Sequence, residues 1–220
     1  MFFMFLTYAL ASHPRWAIVQ SDSRSHSAMV RQSARSYQQF ASNLNASFHC
    51  YDCKNGSHKP ELLAHLCHWY DLVMWADSDS IAHPELAKDF GRHVVSHIRQ
   101  NPKLRLLFGT DYFETVKKVR AGTSPFFGNF NTGLFVTVCQ GASMLLNDWA
   151  YLVNKKAMDV DPNTGDQIPI QMMAAPNSVW HSSIFYDHKI FGVYSTYFDH
   201  YPGKYRKNFP LNTDARHWPV

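Results

Sequence analysis

Charged residues are scarce in this sequence: Asp, Glu, Lys and Arg make up 17% of its 220 residues, against about 25% in an average globular protein. Aromatic residues make up 15% instead. A disordered chain needs more charge and fewer aromatics, and a coiled coil would be dominated by Ala, Glu, Lys and Leu, so both classes are excluded. With 10 Gly and 11 Pro, the chain is not collagen-like or of low complexity. The composition predicts one globular domain of roughly 200 residues with its own core.

Basic residues show little clustering. The formal net charge is +4, from 21 Lys and Arg against 17 Asp and Glu, and a short basic group stands at Lys204, Arg206 and Lys207. A nucleic-acid-binding surface would be denser in positive charge, so no nucleic-acid partner is predicted. A small anionic ligand such as a nucleotide diphosphate suits this balance better. The 13 His are scattered along the chain, which favours surface positions for most of them.

Only four cysteines are present, and two of them, Cys50 and Cys53, form a CxxC motif. A zinc ribbon needs a second such pair, which the sequence lacks. A thioredoxin-like motif would begin a helix directly after a strand, whereas this pair runs into the turn-like sequence Asn55-Gly56-Ser57. We interpret the motif as incidental or structural, with a disulfide formed in a secretory lumen as the alternative.

Long apolar runs are absent apart from the first ten residues, MFFMFLTYAL. That run is shorter than the roughly 20 residues that span a bilayer, and it lacks the positive charges that open a signal peptide. A remnant of a membrane anchor, an extra strand and a degenerate signal are three interpretations of it. We favour a buried structural segment, with membrane association as the alternative. The predicted division is an N-terminal segment over residues 1–14 and a single domain over 15–220.

Hydrophobic periodicity predicts alternating strands and helices. Strands are predicted over 16–20, 46–51, 70–76, 104–109 and 134–138, and helices over 26–42, 60–68, 84–100, 141–155 and 167–175. The run YDLVMWA at 70–76 is almost wholly apolar, which is typical of a central strand buried on both faces. The alternation predicts an α/β domain with a mostly parallel central sheet flanked by helices. In such folds, ligands bind beyond the carboxyl ends of the strands.

Two carboxylates directly follow that central strand, in Asp77-Ser78-Asp79. Carboxylates one residue apart can share a divalent cation, and hard oxygen ligands favour Mg²⁺ or Mn²⁺ over softer metals. A cation held there can bridge to a diphosphate and neutralise charge on a departing phosphate. A solvated turn is the alternative, since Asp and Ser are common in turns. Because the motif ends a buried strand, we predict a metal site here.

The stretch from Lys59 to Asp79 resembles the core of GT-A glycosyltransferases, in which a Lys-bearing helix precedes a strand that ends in D-x-D. It is especially similar to the galactosyl/mannosyltransferase family that includes xyloglucan xylosyltransferases and yeast α-mannosyltransferase subunits. Further segments resemble that family in the same order along the chain: FNTGLF at 130–135, Trp149, the DQ pair at 166–167 and HYPGK at 200–204. The resemblance implies a GT-A fold and the transfer of a sugar from a UDP- or GDP-sugar to a glycan or other hydroxyl acceptor, with retention.

The resemblance also implies roles for particular residues. The Mn²⁺ or Mg²⁺ ion would be held by Asp77, Asp79 and His200. The residues implied to act at the sugar and the acceptor are Asp166, Gln167 and Asn131. The donor would be contacted by residues from several segments, with the two C-terminal bases neutralising its diphosphate: Asp77, Ser78, Lys59, Gly133, Gly203, Lys204 and Arg206.

Two functions stay open from the sequence. One is a nucleotide-sugar glycosyltransferase, and the alternative is a non-catalytic nucleotide-sugar or glycan-binding module on the same fold. Because Asp77, Asp79, Asp166 and His200 are all present, the enzyme is favoured.

The Gly-rich loop at 120–130 is expected to close over a bound donor and exclude water.

The compartment is predicted from the resemblance and from two N-x-S sequons. Asn45-Ala46-Ser47 and Asn55-Gly56-Ser57 permit glycosylation in a secretory lumen. The resemblance favours a Golgi lumenal enzyme, with a cytoplasmic enzyme as the alternative.

Overall fold

The computed structural model describes residues 13–21, 27–51, 58–110, 130–156, 167–187, 190–191 and 195–201. Within these ranges the chain forms eight strands: β1 (Trp16–Ser21), β2 (Ser47–Tyr51), β3 (Leu72–Asp77), β4 (Ser80–Ala82), β5 (Leu106–Thr110), β6 (Phe130–Val138), β7 (Ile184–Tyr186) and β8 (Phe198–His200). The same ranges contain five α-helices: α1 (Ala28–Leu44), α2 (Lys59–Leu66), α3 (Ala87–Gln100), α4 (Ser143–Lys156) and α5 (Gln167–Met173).

Six of these strands form one sheet in the order β2-β1-β3-β6-β5-β7. β1 runs parallel to β2 and β3, β5 runs parallel to β7, and β6 is antiparallel to both of its neighbours. Since β2 and β3 lie on opposite sides of β1, the connections diverge at the carboxyl ends of β1 and β3. Such a divergence leaves a crevice where α/β proteins bind ligands. Ser21 and Asp77, the last residues of β1 and β3, lie side by side there.

The central strand β3 contributes to a core on each face of the sheet. Leu72, Met74 and Ala76 lie in one core, Val73 and Trp75 lie in the other, and all five are buried. Side chains of α1 and α3 close the first core, and side chains of α2, α4 and α5 close the second. Helices therefore cover both faces, which explains why β3 is almost wholly apolar.

The two remaining strands, β4 and β8, pair antiparallel as a separate short ribbon that contacts α1. Phe198 anchors this ribbon, because its buried ring lies 5.2 Å from the ring of Phe40 and 5.3 Å from that of Phe90. Burying a side chain of this size stabilises a fold by about 2 kcal/mol. Hydrophobic packing thus holds β8 against the segment that follows β3.

The predicted fold class is confirmed: the structure is an α/β domain with a mostly parallel central sheet flanked by helices. Three strands, β4, β7 and β8, were not predicted, because strands of three residues are too short to show a period. The start of β6 was predicted at Leu134, whereas the strand begins at Phe130.

The division at residue 14 stays a prediction, because residues 1–12 lie outside the described part of the chain. The interpretations of that segment, including membrane association, stay predictions for the same reason. None of the helices in the described ranges combines the length and the apolar character that crossing a membrane requires.

A disulfide that the sequence analysis did not anticipate joins Cys67, at the end of α2, to Cys139, directly after β6. The two Cα atoms lie 4.8 Å apart although the residues are 72 positions apart in sequence. Their spacing matches no cysteine motif, so only the fold brings them together. Of the CxxC pair, Cys50 is exposed on β2 and Cys53 lies outside the described residues, so the interpretation of that motif stays a prediction.

Replacing both Cys67 and Cys139 by Ser should lower the free energy of unfolding by about 4 kcal/mol, because a cross-link that closes a loop of this length removes entropy from the unfolded chain. Urea unfolding of the oxidised protein, followed by circular dichroism, measures the change. Cys50→Ser is the matched control, and it should change the free energy by less than about 0.5 kcal/mol. Equal losses in the control and in the double variant would contradict a stabilising role for the disulfide.

Candidate functional site

The candidate site lies at the carboxyl end of β3, beside the end of β1. β3 ends at Asp77, and the turn Ser78–Asp79 leads directly into β4. Ser78 and Asp79 are buried, whereas the side chain of Asp77 is 34% exposed. The two carboxylates of the D-x-D motif therefore have different surroundings.

Two groups contact the same carboxylate oxygen of Asp77. Trp75 Nε1 donates a hydrogen bond to Asp77 Oδ1 over 2.7 Å, and Lys59 Nζ lies 3.3 Å from that oxygen. Trp75 and Asp77 are two residues apart in one strand, so their side chains project from the same face of the sheet. This is the face covered by α2, the helix that Lys59 begins.

The ammonium group of Lys59 is almost completely buried, with 7% of its side chain exposed. Besides contacting Asp77, its Nζ donates to the carbonyl oxygen of Thr132 over 3.0 Å and lies 5.1 Å from the centroid of the Trp75 ring. A buried charge is costly unless it is paired and hydrogen-bonded. A carboxylate, a carbonyl and an aromatic face provide that compensation here. Lys59 consequently links α2, β3 and β6 at the edge of the site.

Asp79, unlike Asp77, faces a histidine from the C-terminal part of the chain. Ser80 lies opposite His200 in the β4–β8 ribbon, and the amide of Tyr201 donates to the carbonyl of Asp79 over 2.8 Å. His200 Nε2 lies 3.3 Å from Asp79 Oδ1, and each side chain is only 3% exposed. The fold thus brings two of the three predicted metal ligands into contact.

The neighbouring acid, Asp199, is placed differently. In a strand, successive side chains project to opposite faces, so Asp199 projects away from the face that His200 shares with Ser80. Its partly exposed carboxylate lies 3.4 Å from Nε2 of His83. The described contact of the Asp199 carboxylate is therefore with His83, on the side of β8 away from the Asp79–His200 pair.

The chemistry of the Asp79–His200 pair fits a divalent cation, because Mn²⁺ accepts both carboxylate oxygen and imidazole nitrogen as ligands. In the described ranges, however, no group of three or more His, Cys, Asp or Glu side chains is arranged to hold a metal ion. Asp77 Oδ1 contacts Lys59 and Trp75 instead. Two protein donors leave coordination positions for diphosphate oxygens and water. Metal ligation by Asp77, Asp79 and His200 stays a prediction.

The residues predicted to line the sugar site lie on β6 and at the start of α5. Asn131 and Gly133 belong to β6, and Asn131 lies opposite Gly109 of β5, just past an irregularity in the pairing. Gln167 is the first residue of α5, and this helix contacts both β6 and α4. Since β6 is also the neighbour of β3, the strand that carries Gly133 adjoins the strand that ends in Asp77.

The other predicted site residues lie outside the described part of the chain: Asp166, Gly203, Lys204 and Arg206. Most of the predicted lid, residues 120–129, also lies there. Their roles stay predictions. Trp149, which was part of the family resemblance, is fully buried with its ring 5.7 Å from that of Phe135, so its observed place is in the core.

Two contacts at the site were missed by the sequence analysis. Trp75 could have been identified, because residues two apart in a strand share a face and Trp75 precedes Asp77 by two. Thr132 carries no such signal, since it acts through its backbone carbonyl. The sequence analysis also missed three polar side chains of α1 that bond to the segment after the D-x-D motif: Ser33, Ser36 and Tyr37.

The chain is similar in structure to a glycosyltransferase involved in the glycosylation of the major capsid of PBCV-1. The TM-score is 0.59 at 12% sequence identity, and the alignment covers 89% of this chain and 96% of that chain. The apo-form glycosyltransferase GlyE of Streptococcus pneumoniae TIGR4 aligns with a TM-score of 0.47 at 14% identity, over 78% of this chain and 45% of that chain. No protein-family model and no curated protein sequence matches the chain. The likeness to the PBCV-1 protein, which spans nearly all of both chains, shows a shared fold.

Replacing Asp77 by Asn should lower the free energy of unfolding by about 2 kcal/mol, because Lys59 would stay buried without its counter-charge. The loss is smaller than for a fully buried pair, since the carboxylate of Asp77 is partly exposed to water. The double variant Lys59→Met/Asp77→Asn should regain most of the loss, because the buried charge is gone. Urea unfolding of the two single variants and the double variant gives the coupling energy. A coupling energy of zero would contradict the proposed pairing.

Proposed function

We propose that this chain is a metal-dependent glycosyltransferase that moves a sugar from a nucleotide-diphosphate donor to a glycan or other hydroxyl acceptor. One observation carries the proposal: Asp79 and His200 are buried together, 3.3 Å apart, beside the crevice between β1 and β3. Ionisable groups buried at the ligand-binding edge of an α/β sheet are typical of functional sites. A carboxylate and an imidazole are also the donor types that Mn²⁺ accepts.

The shared fold supports the same class of reaction. The PBCV-1 protein is a glycosyltransferase, and its fold aligns with 89% of this chain. A fold by itself hosts many functions, so the inference must rest on the site. The buried Asp79–His200 pair therefore carries the proposal, and the shared fold is compatible with it.

In this proposal Asp77, Asp79 and His200 would hold the cation, and Asp77 and Ser78 would also contact the nucleotide diphosphate. When bound, the cation neutralises negative charge that develops on the departing diphosphate. Lys59 holds the carboxylate of Asp77 through the 3.3 Å contact and adds positive potential at this edge, which favours an anionic donor. The turn after β3 can therefore orient the diphosphate relative to the rest of the site.

The remaining assignments rest on the family resemblance and belong to the same proposal. The donor is a UDP- or GDP-sugar, and transfer proceeds with retention. Asn131 and Gly133 line the sugar site from β6, and Asp166 and Gln167 face the sugar and the acceptor. The C-terminal residues follow the metal ligand His200 and contact the diphosphate: Gly203, Lys204 and Arg206.

We also propose that the enzyme works in the Golgi lumen, with the N-terminal apolar segment associated with the membrane. The Cys67–Cys139 disulfide supports an oxidising compartment. The sequon asparagine Asn45 supports it too, because this residue caps the end of α1 and is exposed. The lumenal assignment can be tested by measuring whether glycosidase treatment lowers the mass of the secreted or membrane-bound protein.

Metal dependence is the direct test of the proposed activity. With a panel of UDP- and GDP-sugars and Mn²⁺, we expect one donor to release its nucleoside diphosphate; EDTA should abolish the release and added Mn²⁺ or Mg²⁺ should restore it. Binding of a donor without any release would indicate a non-catalytic module instead. Full activity in EDTA would overturn the metal assignment.

Substitutions at the buried pair test which residues hold the cation. Asp79→Asn should weaken donor binding by on the order of 3 kcal/mol, because it removes the charge of a buried ligand. His200→Ala should raise the Mn²⁺ requirement and lower turnover about 100-fold. Asp199→Ala is the matched control, since this carboxylate contacts His83 rather than Asp79, and it should leave turnover within about twofold. If His200→Ala behaved like Asp199→Ala, His200 would not be a ligand.

A further inference from the structure

Three polar side chains of α1 line up toward β4, the strand that follows the D-x-D turn. Ser33, Ser36 and Tyr37 are spaced i, i+3 and i+4, so they lie on one face of the helix. Ser33 Oγ donates to the carbonyl of Ser80 over 2.6 Å, and Ser36 Oγ accepts from the amide of Ala82 over 3.0 Å. The hydroxyl of Tyr37 lies 2.8 Å from Ser80 Oγ. One helix face therefore bonds to both ends of β4.

The direction of the hydrogen bond between Tyr37 and Ser80 follows from the number of protons that the Ser80 hydroxyl can donate. Ser80 Oγ donates its single proton to the carbonyl of Asp77 over 2.6 Å, so in the contact with Tyr37 it must accept. Burial raises the pKa of Tyr37 far above its ordinary value, so its hydroxyl keeps its proton and can donate. The chain of bonds thus runs from Tyr37 through Ser80 to the backbone of Asp77.

A second chain of hydrogen bonds reaches Ser80 from β1. Gln20 Nε2 donates to Ser33 Oγ over 2.6 Å, and Ser33 in turn donates to the carbonyl of Ser80. Gln20, Ser33, Tyr37 and Ser80 are all fully buried. Hydrogen bonds between buried groups are strong and expensive to leave unmade, so Ser80 is held by its side chain and by its carbonyl at once.

Ser80 is also adjacent to both members of the buried pair, Asp79 and His200. It follows Asp79 directly in sequence, and it lies opposite His200 in the β4–β8 ribbon. Residues directly opposite each other in an antiparallel pair project to the same face. Any displacement of Ser80 would therefore move Asp79 and His200 together.

We infer that Tyr37 is a positioning residue for the proposed metal site, acting through Ser80 on the geometry of Asp79 and His200. The inference rests on the proposed function for its catalytic meaning, but the positioning itself concerns only this chain's residues. Tyr37 differs in this from Tyr197, which is also buried and contacts the same aromatic cluster. The hydroxyl of Tyr197 contacts His93, 3.3 Å away, rather than the D-x-D segment.

The first experiment compares Tyr37→Phe with Tyr197→Phe, two variants that each lose one hydroxyl. The measurement is the NMR spectrum of the histidine side chains without any ligand, with His200 assigned from a His200→Gln variant. We expect the His200 imidazole resonances to move in Tyr37→Phe and to stay in place in Tyr197→Phe. Unchanged His200 resonances in Tyr37→Phe, or equal changes in both variants, would overturn the inference. If Tyr37→Phe does not fold, Ser80→Ala, which removes the hydroxyl that Tyr37 contacts, replaces it in the same comparison.

The second experiment measures the Mn²⁺ concentration that gives half-maximal release of nucleoside diphosphate. Tyr37→Phe should raise this concentration about 10-fold, as for other residues that orient a metal ligand, while turnover at saturating Mn²⁺ stays within about twofold. A loss of turnover with an unchanged Mn²⁺ requirement would contradict positioning through the metal site. If the native chain releases no nucleoside diphosphate from any donor, the proposed function fails, and the NMR comparison alone decides the positioning inference.

Discussion

The ribbon of β4 and β8 holds the candidate site together, because it brings a segment from late in the chain to the end of the central strand. Phe198 provides the energy for this contact through burial between α1 and α3. His200 follows Phe198 by two residues and so projects to the same buried side. Because burial of the Phe198 ring fixes β8, it also places the His200 imidazole 3.3 Å from Asp79.

The two carboxylates of the D-x-D motif are divided between two faces of the fold. Asp77 contacts the cation of Lys59 on the side of α2, whereas Asp79 contacts His200 on the side of the ribbon. A cation bound by Asp79 and His200 would therefore not have to displace Lys59 from Asp77. In the proposed function, this separation would let one short motif serve both structure and ligand binding.

Helix α1 combines two kinds of contact with the ribbon. The ring of Tyr37 lies in the aromatic core, 5.9 Å from that of Phe198, while its hydroxyl lies 2.8 Å from Ser80 Oγ. Apolar packing supplies most of the stability in such an arrangement, and the buried hydrogen bonds specify its geometry. The same helix therefore packs against β8 and hydrogen-bonds to β4.

The sequence by itself determined the α/β class and the place of the D-x-D motif at the end of a buried strand. Both follow from local information: the period of apolar residues in β3 and in the helices, and the order of strands and helices along the chain. Most helix boundaries were predicted within a few residues for the same reason. The two carboxylates after β3 also led to the prediction of a metal site at this edge of the sheet.

Only the tertiary structure decided which side chains contact one another at this edge of the sheet. The strands β4 and β8 are three residues each, too short for any period, and they exist because they pair with each other. The contact between Lys59 and the carbonyl of Thr132 and the disulfide between Cys67 and Cys139 likewise join residues distant in sequence. Such contacts depend on how α2, β3 and β6 are stacked, which no local pattern encodes. The contact between Asp79 and His200 was expected from the family resemblance alone, since no local pattern or spacing encodes it, and the packing of Phe198 is what brings the two residues together.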